Sequence, residues 1–165
     1  MGNSYLSAMK LGIIGCGYWG PNLVRNFNNI QGSEIACCAD LDENRLNHIK
    51  GLYPGIEVAK DYRQMLDKKE IDAVVVATPV ETHYRIAKDA LNAGKHVLIE
   101  KPITGSSKDA AELIRIAEKK GMVLMVDHTF EYSPSARKIK EIIRNGELGS
   151  IFTIDMIRVN LGLFQ

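Results

Sequence analysis

The sequence is poor in cysteine, lacks a long apolar run and carries no excess of one charge. Its three cysteines are Cys16, Cys37 and Cys38, and their odd number and their places in or beside predicted strands argue against a disulfide framework. They show no metal-type spacing either, so we predict no metal site and a reducing, cytoplasmic compartment. No apolar stretch is long enough to span a bilayer, and no secretory signal pattern is visible. With 21 basic and 20 acidic residues the net charge is +1, which excludes the strong positive field of a dedicated nucleic-acid binder.

The 165 residues are enough for one full domain and part of another. Residues 1–8 carry no pattern, and we interpret them as a leader or tag remnant. From Met9 to about Asp127, apolar segments of strand length alternate with segments of helical period. This alternation predicts parallel strands joined by right-handed crossovers, a doubly wound α/β sheet, over residues 9–128. The predicted strands are 10–15, 34–39, 56–59, 71–77, 96–99 and 122–126.

The pattern changes over residues 129–165. Pro134 begins a predicted helix that runs to about Asn145, and Ser150–Asn160 alternates like a half-exposed antiparallel strand. A lone strand with an apolar face is not stable by itself, so we interpret this segment as the first helix and strand of a truncated α+β domain for substrate binding or oligomerisation. The apolar face of the strand also predicts contact with another copy of the chain. That face consists of Phe152, Ile154 and Met156.

Gly15, Gly17 and Gly20 form a G-x-G-x-x-G loop between an apolar strand and a helix that begins at Pro21. In a dinucleotide site the first glycine permits the tight turn, the second lets the backbone approach the pyrophosphate, and the third allows close helix–strand packing. The free amides at the start of the helix then bind phosphate. The alternative is a glycine-rich turn without a ligand, but the flanking strand and helix favour the dinucleotide site.

Asp40 ends the second predicted strand, 20 residues after Gly20. A carboxylate at this place accepts hydrogen bonds from the adenosine ribose hydroxyls. It also repels a 2′-phosphate, so the sequence favours NAD, with NADP the less favoured cofactor. A helix-capping aspartate is the alternative interpretation.

Polar residues follow two further strands of the predicted sheet. Thr78 and Pro79 end the most apolar strand, and Glu100 and Lys101 follow the next one. Ligands of doubly wound sheets lie outside the carboxyl ends of the strands, which favours a site at these residues and at the nearby His83. Surface charges and a loop proline are the alternative.

The stretch 74–102 resembles the Gfo/Idh/MocA family, the glucose–fructose oxidoreductase and inositol dehydrogenase group. The segments ATPVETH and AGKHVLIEKP carry the resemblance, and GIIGCGYWGPNLVRNF is similar to members linked to nucleotide-sugar metabolism. The resemblance implies an NAD(P)-dependent enzyme that transfers hydride between a sugar, nucleotide-sugar or cyclitol hydroxyl and nicotinamide. It implies that Lys101 is catalytic, reaching the substrate and assisting proton movement, and that the bond before Pro102 is cis. The cofactor-binding positions that it implies are Gly15, Gly17, Tyr18, Trp19, Gly20, Asp40, Thr78, Pro79, His83, Glu100 and Lys101.

Two departures from the family pattern limit this expectation. Only the aromatic position of an N-x-R-[FY] pattern is kept in the segment 129–132, and the D-x-x-x-H segment of the family's second domain is absent. We therefore expect a cofactor-binding fragment that binds NAD(H) with little activity alone, such as a shortened form of a longer dehydrogenase. A non-enzymatic NAD-binding module or redox sensor is the alternative. A methyltransferase can open with a similar loop, but the T-P and E-K-P segments argue against it.

Overall fold

The computed structural model describes residues 8–157 and residue 159. Its strands are β1 (Met9–Ile14), β2 (Ser33–Ala39), β3 (Glu57–Ala59), β4 (Ala73–Val76), β5 (His96–Glu100) and β6 (Leu124–Asp127). Its helices are α1 (Gly20–Asn28), α2 (Glu43–Leu52), α3 (Tyr62–Leu66), α4 (Val80–Asn92), α5 (Ser107–Lys120) and α6 (Pro134–Arg144), with a 3-10 turn over Thr129–Tyr132. The six predicted strands and the helices between them are confirmed, with small shifts at their ends.

The six strands form one sheet in the order β3-β2-β1-β4-β5-β6. All neighbouring strands run parallel. Along the chain the sheet grows from β1 to β2 and β3 on one side, and then from β4 to β6 on the other. The order therefore reverses between β1 and β4, which is the place where doubly wound sheets bind ligands. The predicted fold class is confirmed.

Helices cover both faces of the sheet because the central strands are apolar on both sides. In β4, Val74 and Val76 point to the face covered by α3, α4 and α5, and Val75 points to the face covered by α1 and α2. All three valines are buried. The strand pairs in register with β1 and β5, and residues 77–79 leave the sheet directly after it.

The three cysteines are free and buried among these apolar residues. Burial, the largest cause, raises the pKa of the Cys37 thiol to about 11. A hydrogen bond with Cys16 and burial raise the pKa of Cys38 well above its usual range. These thiols are therefore packing residues, since a reactive cysteine requires a stabilised thiolate.

The described residues from His128 onward form a second compact unit. Its helix α6 begins at Pro134 as predicted, and the Oγ of Ser133 accepts a hydrogen bond from the Ala136 amide at 3.3 Å. The strand predicted over Ser150–Asn160 is wrong for the described residues 151–157 and 159, none of which is in a strand. Among the described residues of this unit there is no other strand to satisfy its backbone groups, so alternation alone does not produce a strand there.

Several predictions concern residues outside the described part of the chain. They include the leader over residues 1–8, of which only Ala8 is described, and the last residues of the segment 129–165. Among the helices of the described residues, none has the length and apolar composition needed to cross a bilayer.

Candidate functional site

A cleft of about 580 Å³ opens at the carboxyl ends of β1, β2 and β4. This is the point at which the strand order reverses, so the cleft lies where the topology predicts a ligand. Seven of the predicted site residues line it: Gly15, Gly17, Tyr18, Trp19, Asp40, Thr78 and Pro79. Gly20, His83, Glu100 and Lys101 lie outside this lining.

The three glycines of the loop have different reasons to lack a side chain. Gly15 has a φ of +100°, and a Cβ on it would lie 2.4 Å from the Ala77 carbonyl oxygen. A Cβ on Gly20 would lie 2.6 Å from the Gly15 carbonyl oxygen. A Cβ on Gly17 would meet only the Arg45 guanidinium, at 3.5 Å. The protein's own backbone therefore leaves no room for a side chain at Gly15 and Gly20, whereas Gly17 lines the cleft and keeps open a space that the protein itself does not use.

Helix α1 presents its N-terminus to the loop. Its first turn contains Pro21 and no acidic residue, and the N-cap residue Trp19 makes no side-chain capping bond. The N-caps of α2 and α5, in contrast, are Asp42 and Ser106, whose side chains accept backbone N–H bonds. The amides at the start of α1 are thus left for an anion in the cleft, which the positive end of the helix dipole favours.

Asp40 connects the glycine loop to the end of β2. Its Oδ2 accepts a hydrogen bond from the Cys16 amide at 2.7 Å, and its Oδ1 accepts one from the Asp42 amide at 2.8 Å. Only 8% of the side chain is exposed. Each carboxylate oxygen keeps a second lone pair, so Asp40 can accept ligand hydroxyls while it orders the loop.

Arg45, on α2, is a lining residue that sequence reasoning missed. Its Nη1 lies 3.5 Å from Asp40 Oδ2, and its Nε lies 3.6 Å from Asp42 Oδ2. Half of the Arg45 side chain is exposed, so it can move toward a ligand. The sequence feature that could have indicated Arg45 is its i,i+3 spacing from Asp42, which places the two side chains on the same side of the first turn of α2.

Tyr18 and Trp19 stand at the rim of the cleft. Both are exposed, and their rings meet edge to face with centroids 5.3 Å apart. Exposed aromatic rings of this kind offer apolar area at low entropic cost to a planar ligand group. Their contact with a cofactor stays a prediction.

The opposite wall is formed by α3, α4 and the turn before α4. Thr82 Oγ1 donates a hydrogen bond to the Pro79 carbonyl oxygen at 2.7 Å, and it lies 2.7 Å from the Thr78 Oγ1, whose hydroxyl can donate to it. Tyr62 donates from its hydroxyl to Asp89 at 2.7 Å, and burial together with this bond raises the pKa of Tyr62 to about 12. Hydrophobic periodicity alone does not indicate which polar side chains of a helix face a cleft. The lining residues missed for this reason are Tyr62, Thr82 and Arg85, and Lys60, which directly follows β3, was missed as well.

His83 does not occupy the place that we predicted. Its side chain is 1% exposed, and both ring nitrogens are bound to main-chain carbonyl oxygens. The imidazole therefore has no free nitrogen or exposed face for a cofactor. The predicted direct contact between His83 and the cofactor does not fit this structure, in which the ring binds two segments of the protein itself.

Glu100 ends β5 and Lys101 follows it, and neither residue lines the cleft. Glu100 lies beside Asp127 of β6 in the sheet register. Burial, first, and the neighbouring Asp127 carboxylate raise the pKa of Glu100. The Lys101 side chain is exposed, and the bond to Pro102 is cis, as the family resemblance implied.

No group of three or more His, Cys, Asp or Glu side chains within the described ranges is arranged to hold a metal ion. The site therefore consists of a glycine loop, an uncapped helix start, one carboxylate with its arginine, and aromatic rings at the rim. This set suits a phosphate-containing ligand with ribose hydroxyls.

Comparison with known proteins agrees with this geometry. Residues 9–128 match the Gfo/Idh/MocA group, described as an oxidoreductase family with an NAD-binding Rossmann fold. The chain is 31% identical over 156 residues to inositol 2-dehydrogenase 2 of Saccharopolyspora erythraea, covering 93% of this chain and 46% of that protein. The structure of myo-inositol 2-dehydrogenase from Lactobacillus plantarum has a TM-score of 0.81 and 28% identity, covering 88% of this chain and 43% of that one.

A second solved structure is a 3-ketoreductase from Actinomadura kijaniata in complex with NADP and TDP-benzene. Its TM-score is 0.78 at 28% identity, and the match covers 85% of this chain and 43% of that one. The chain thus spans less than half the length of each of these relatives.

Proposed function

Since this chain belongs to the Gfo/Idh/MocA oxidoreductase family, we propose that its cleft binds NAD(H) for the oxidation or reduction of a sugar-like substrate. The observation that carries the proposal is the loop around Gly17. A Cβ there would meet only Arg45, so the backbone is open to a ligand on the cleft side. The relatives named above are dehydrogenases and a ketoreductase, which supports the same class of chemistry.

The residues of the cleft fit the parts of a dinucleotide. The amides of the glycine loop and of the α1 start would hold the pyrophosphate. Asp40 would accept the hydroxyls of the adenosine ribose, and the turn at Thr78 and Pro79 would flank the nicotinamide end. When bound, the nicotinamide ring accepts or gives the hydride of the reaction.

We propose NAD as the preferred cofactor, with NADP bound more weakly. The Asp40 carboxylate repels a 2′-phosphate, and its amide partners hold it in place at 2.7 and 2.8 Å. Arg45 works in the opposite direction, because its guanidinium lies 3.5 Å from this carboxylate and offsets part of the charge. The preference is therefore one of degree.

The substrate class that we propose is a sugar, nucleotide-sugar or cyclitol with a secondary hydroxyl. Oxidation of such a hydroxyl requires that its proton leave and that the developing alkoxide be stabilised. We assign the stabilising charge to Lys101, which is exposed at the carboxyl end of β5. The buried free thiols also favour a reducing, cytoplasmic compartment.

Calorimetric titration of the 165-residue chain with NADH, NADPH and ADP-ribose tests the cofactor assignment. We expect NADH to bind more tightly than NADPH, and ADP-ribose to compete with NADH for one site. Failure of both dinucleotides to bind the folded chain would refute the assignment. Incubation with NAD and myo-inositol, glucose or a nucleotide-sugar, followed by NADH absorbance, then tests the substrate class. Lys101→Met is the variant that should lose any turnover that the parent chain shows.

A further inference from the structure

His83 lies in the first turn of α4 and is fully enclosed, with 1% of its surface exposed. Its Nδ1 lies 2.8 Å from the carbonyl oxygen of Pro102, and its Nε2 lies 2.7 Å from the carbonyl oxygen of Thr78. Both distances are those of good hydrogen bonds. The ring therefore connects two chain segments that follow the ends of β4 and β5.

The two partners of this ring are of one kind. A carbonyl oxygen accepts hydrogen bonds and cannot donate, so each ring nitrogen must supply a proton. A neutral imidazole carries one N–H and would direct the lone pair of its other nitrogen at a carbonyl oxygen. Only the imidazolium satisfies both contacts, and hydrogen bonds from a charged donor are about twice as strong as neutral ones.

His96 provides a contrast within the same sheet. Its Nδ1 accepts a hydrogen bond from the Val123 amide at 2.9 Å, so this nitrogen must be unprotonated. The partners of His83 thus require a proton on both ring nitrogens, whereas the partner of His96 requires a free lone pair on Nδ1.

The segments that His83 connects carry the proposed cofactor contacts. Thr78 lines the cleft, and Pro102 directly follows Glu100 and Lys101. We propose that His83 is a positioning residue that, as an imidazolium, fixes the β4 and β5 end segments relative to each other and so sets the nicotinamide end of the cleft. The positioning part rests on the proposed function, whereas the proton count rests on the hydrogen bonds alone.

Nitrogen-15 NMR of the chain labelled at histidine tests the proton count directly. At neutral pH we expect protons on both ring nitrogens of His83 and an unprotonated Nδ1 in His96. The histidine signals that are missing from the spectrum of His83→Gln are assigned to His83. A neutral His83 ring with one unprotonated nitrogen in the folded chain would overturn the proposal, and this measurement needs no cofactor.

The positioning role is tested with NADH titrations of His83→Phe, which supplies no donor, and His83→Gln, which supplies one donor nitrogen. We expect Kd to rise roughly tenfold or more for His83→Phe, and less for His83→Gln. Ala90→Gly is the matched control, because Ala90 is buried two turns further along α4 and lies outside the cleft lining. It should lower the melting temperature while leaving Kd within about twofold.

The outcomes separate the two proposals. An unchanged Kd in folded His83→Phe, or an equal rise of Kd in Ala90→Gly, would refute positioning by His83. If the unmutated chain binds no NADH, the proposed function fails and the positioning role fails with it, while the NMR result still decides the protonation of the ring.

Discussion

Replacing Gly17 with alanine should separate binding from folding. In the structure a Cβ at this position meets only the Arg45 guanidinium, at 3.5 Å, which is an ordinary contact with a mobile group. Alanine therefore fits the free protein. Because it also restricts the unfolded chain, we expect the free energy of unfolding to stay equal or to rise by about 0.4–1 kcal/mol.

The same methyl group should weaken cofactor binding strongly. It occupies the side from which a pyrophosphate would approach the loop, so at least one amide–phosphate hydrogen bond is lost. A hydrogen bond to a charged group is worth about 1.5–3 kcal/mol. At about 1.4 kcal/mol for each factor of ten, Kd for NADH should rise roughly 10- to 140-fold.

Calorimetric titration with NADH and thermal unfolding of the same samples measure both effects. Gly20→Ala is the comparison variant, because its Cβ would lie 2.6 Å from the Gly15 carbonyl oxygen. We expect overpacking there to lower the free energy of unfolding by about 1–3 kcal/mol. If the Gly17→Ala variant is folded and binds NADH as tightly as the parent chain, the pyrophosphate does not approach the loop at Gly17.

Three further predictions concern charge and surface. Asp40→Asn should raise the Kd for NADH about tenfold and the Kd for NADPH by less. Arg45→Met should weaken the binding of NADPH more than the binding of NADH. Titration of each variant with both cofactors measures these changes. The raised pKa of Glu100 means that the folded chain binds the carboxyl proton more tightly than the unfolded chain does. The free energy of unfolding should therefore fall as the pH rises from the ordinary pKa of 4.5 through the raised one. Glu100→Gln should make this fall smaller in denaturation curves measured across that pH range. Phe152 and Met156 are 94% and 89% exposed, so the chain should self-associate at high concentration. Phe152→Ser should lower the mass measured by light scattering. A parent chain that stays monomeric would contradict the prediction.

The sheet could be predicted because burial leaves a direct mark on the sequence. The run AVVV of β4 is apolar at every position, since both of its faces are covered. Gly20 was also predictable, because the atom that a Cβ there would meet, the Gly15 carbonyl oxygen, belongs to the same strand–turn–helix unit. Local patterns of this kind depend on near neighbours in the chain.

The remaining features depend on residues that are distant in sequence or on a partner. His83 pairs with carbonyls 5 and 19 residues away, and nothing in the ATPVETH segment indicates that both partners are acceptors. The alternation of Ser150–Asn160 describes the faces of a strand but not whether a neighbouring strand exists. Hydrophobic periodicity reports burial, and it is silent on which polar group a side chain meets.

The pair of amide bonds at Asp40 constrains how the cofactor preference of this chain can change. The carboxylate that we propose repels a 2′-phosphate also accepts hydrogen bonds from the Cys16 amide of the glycine loop and the Asp42 amide at the start of α2. A serine at position 40 would admit the phosphate but has one short hydroxyl in place of two carboxylate oxygens. Redesign for NADPH therefore requires a compensating acceptor for the Cys16 amide, so that a double substitution is the shortest mutational path that keeps the loop intact.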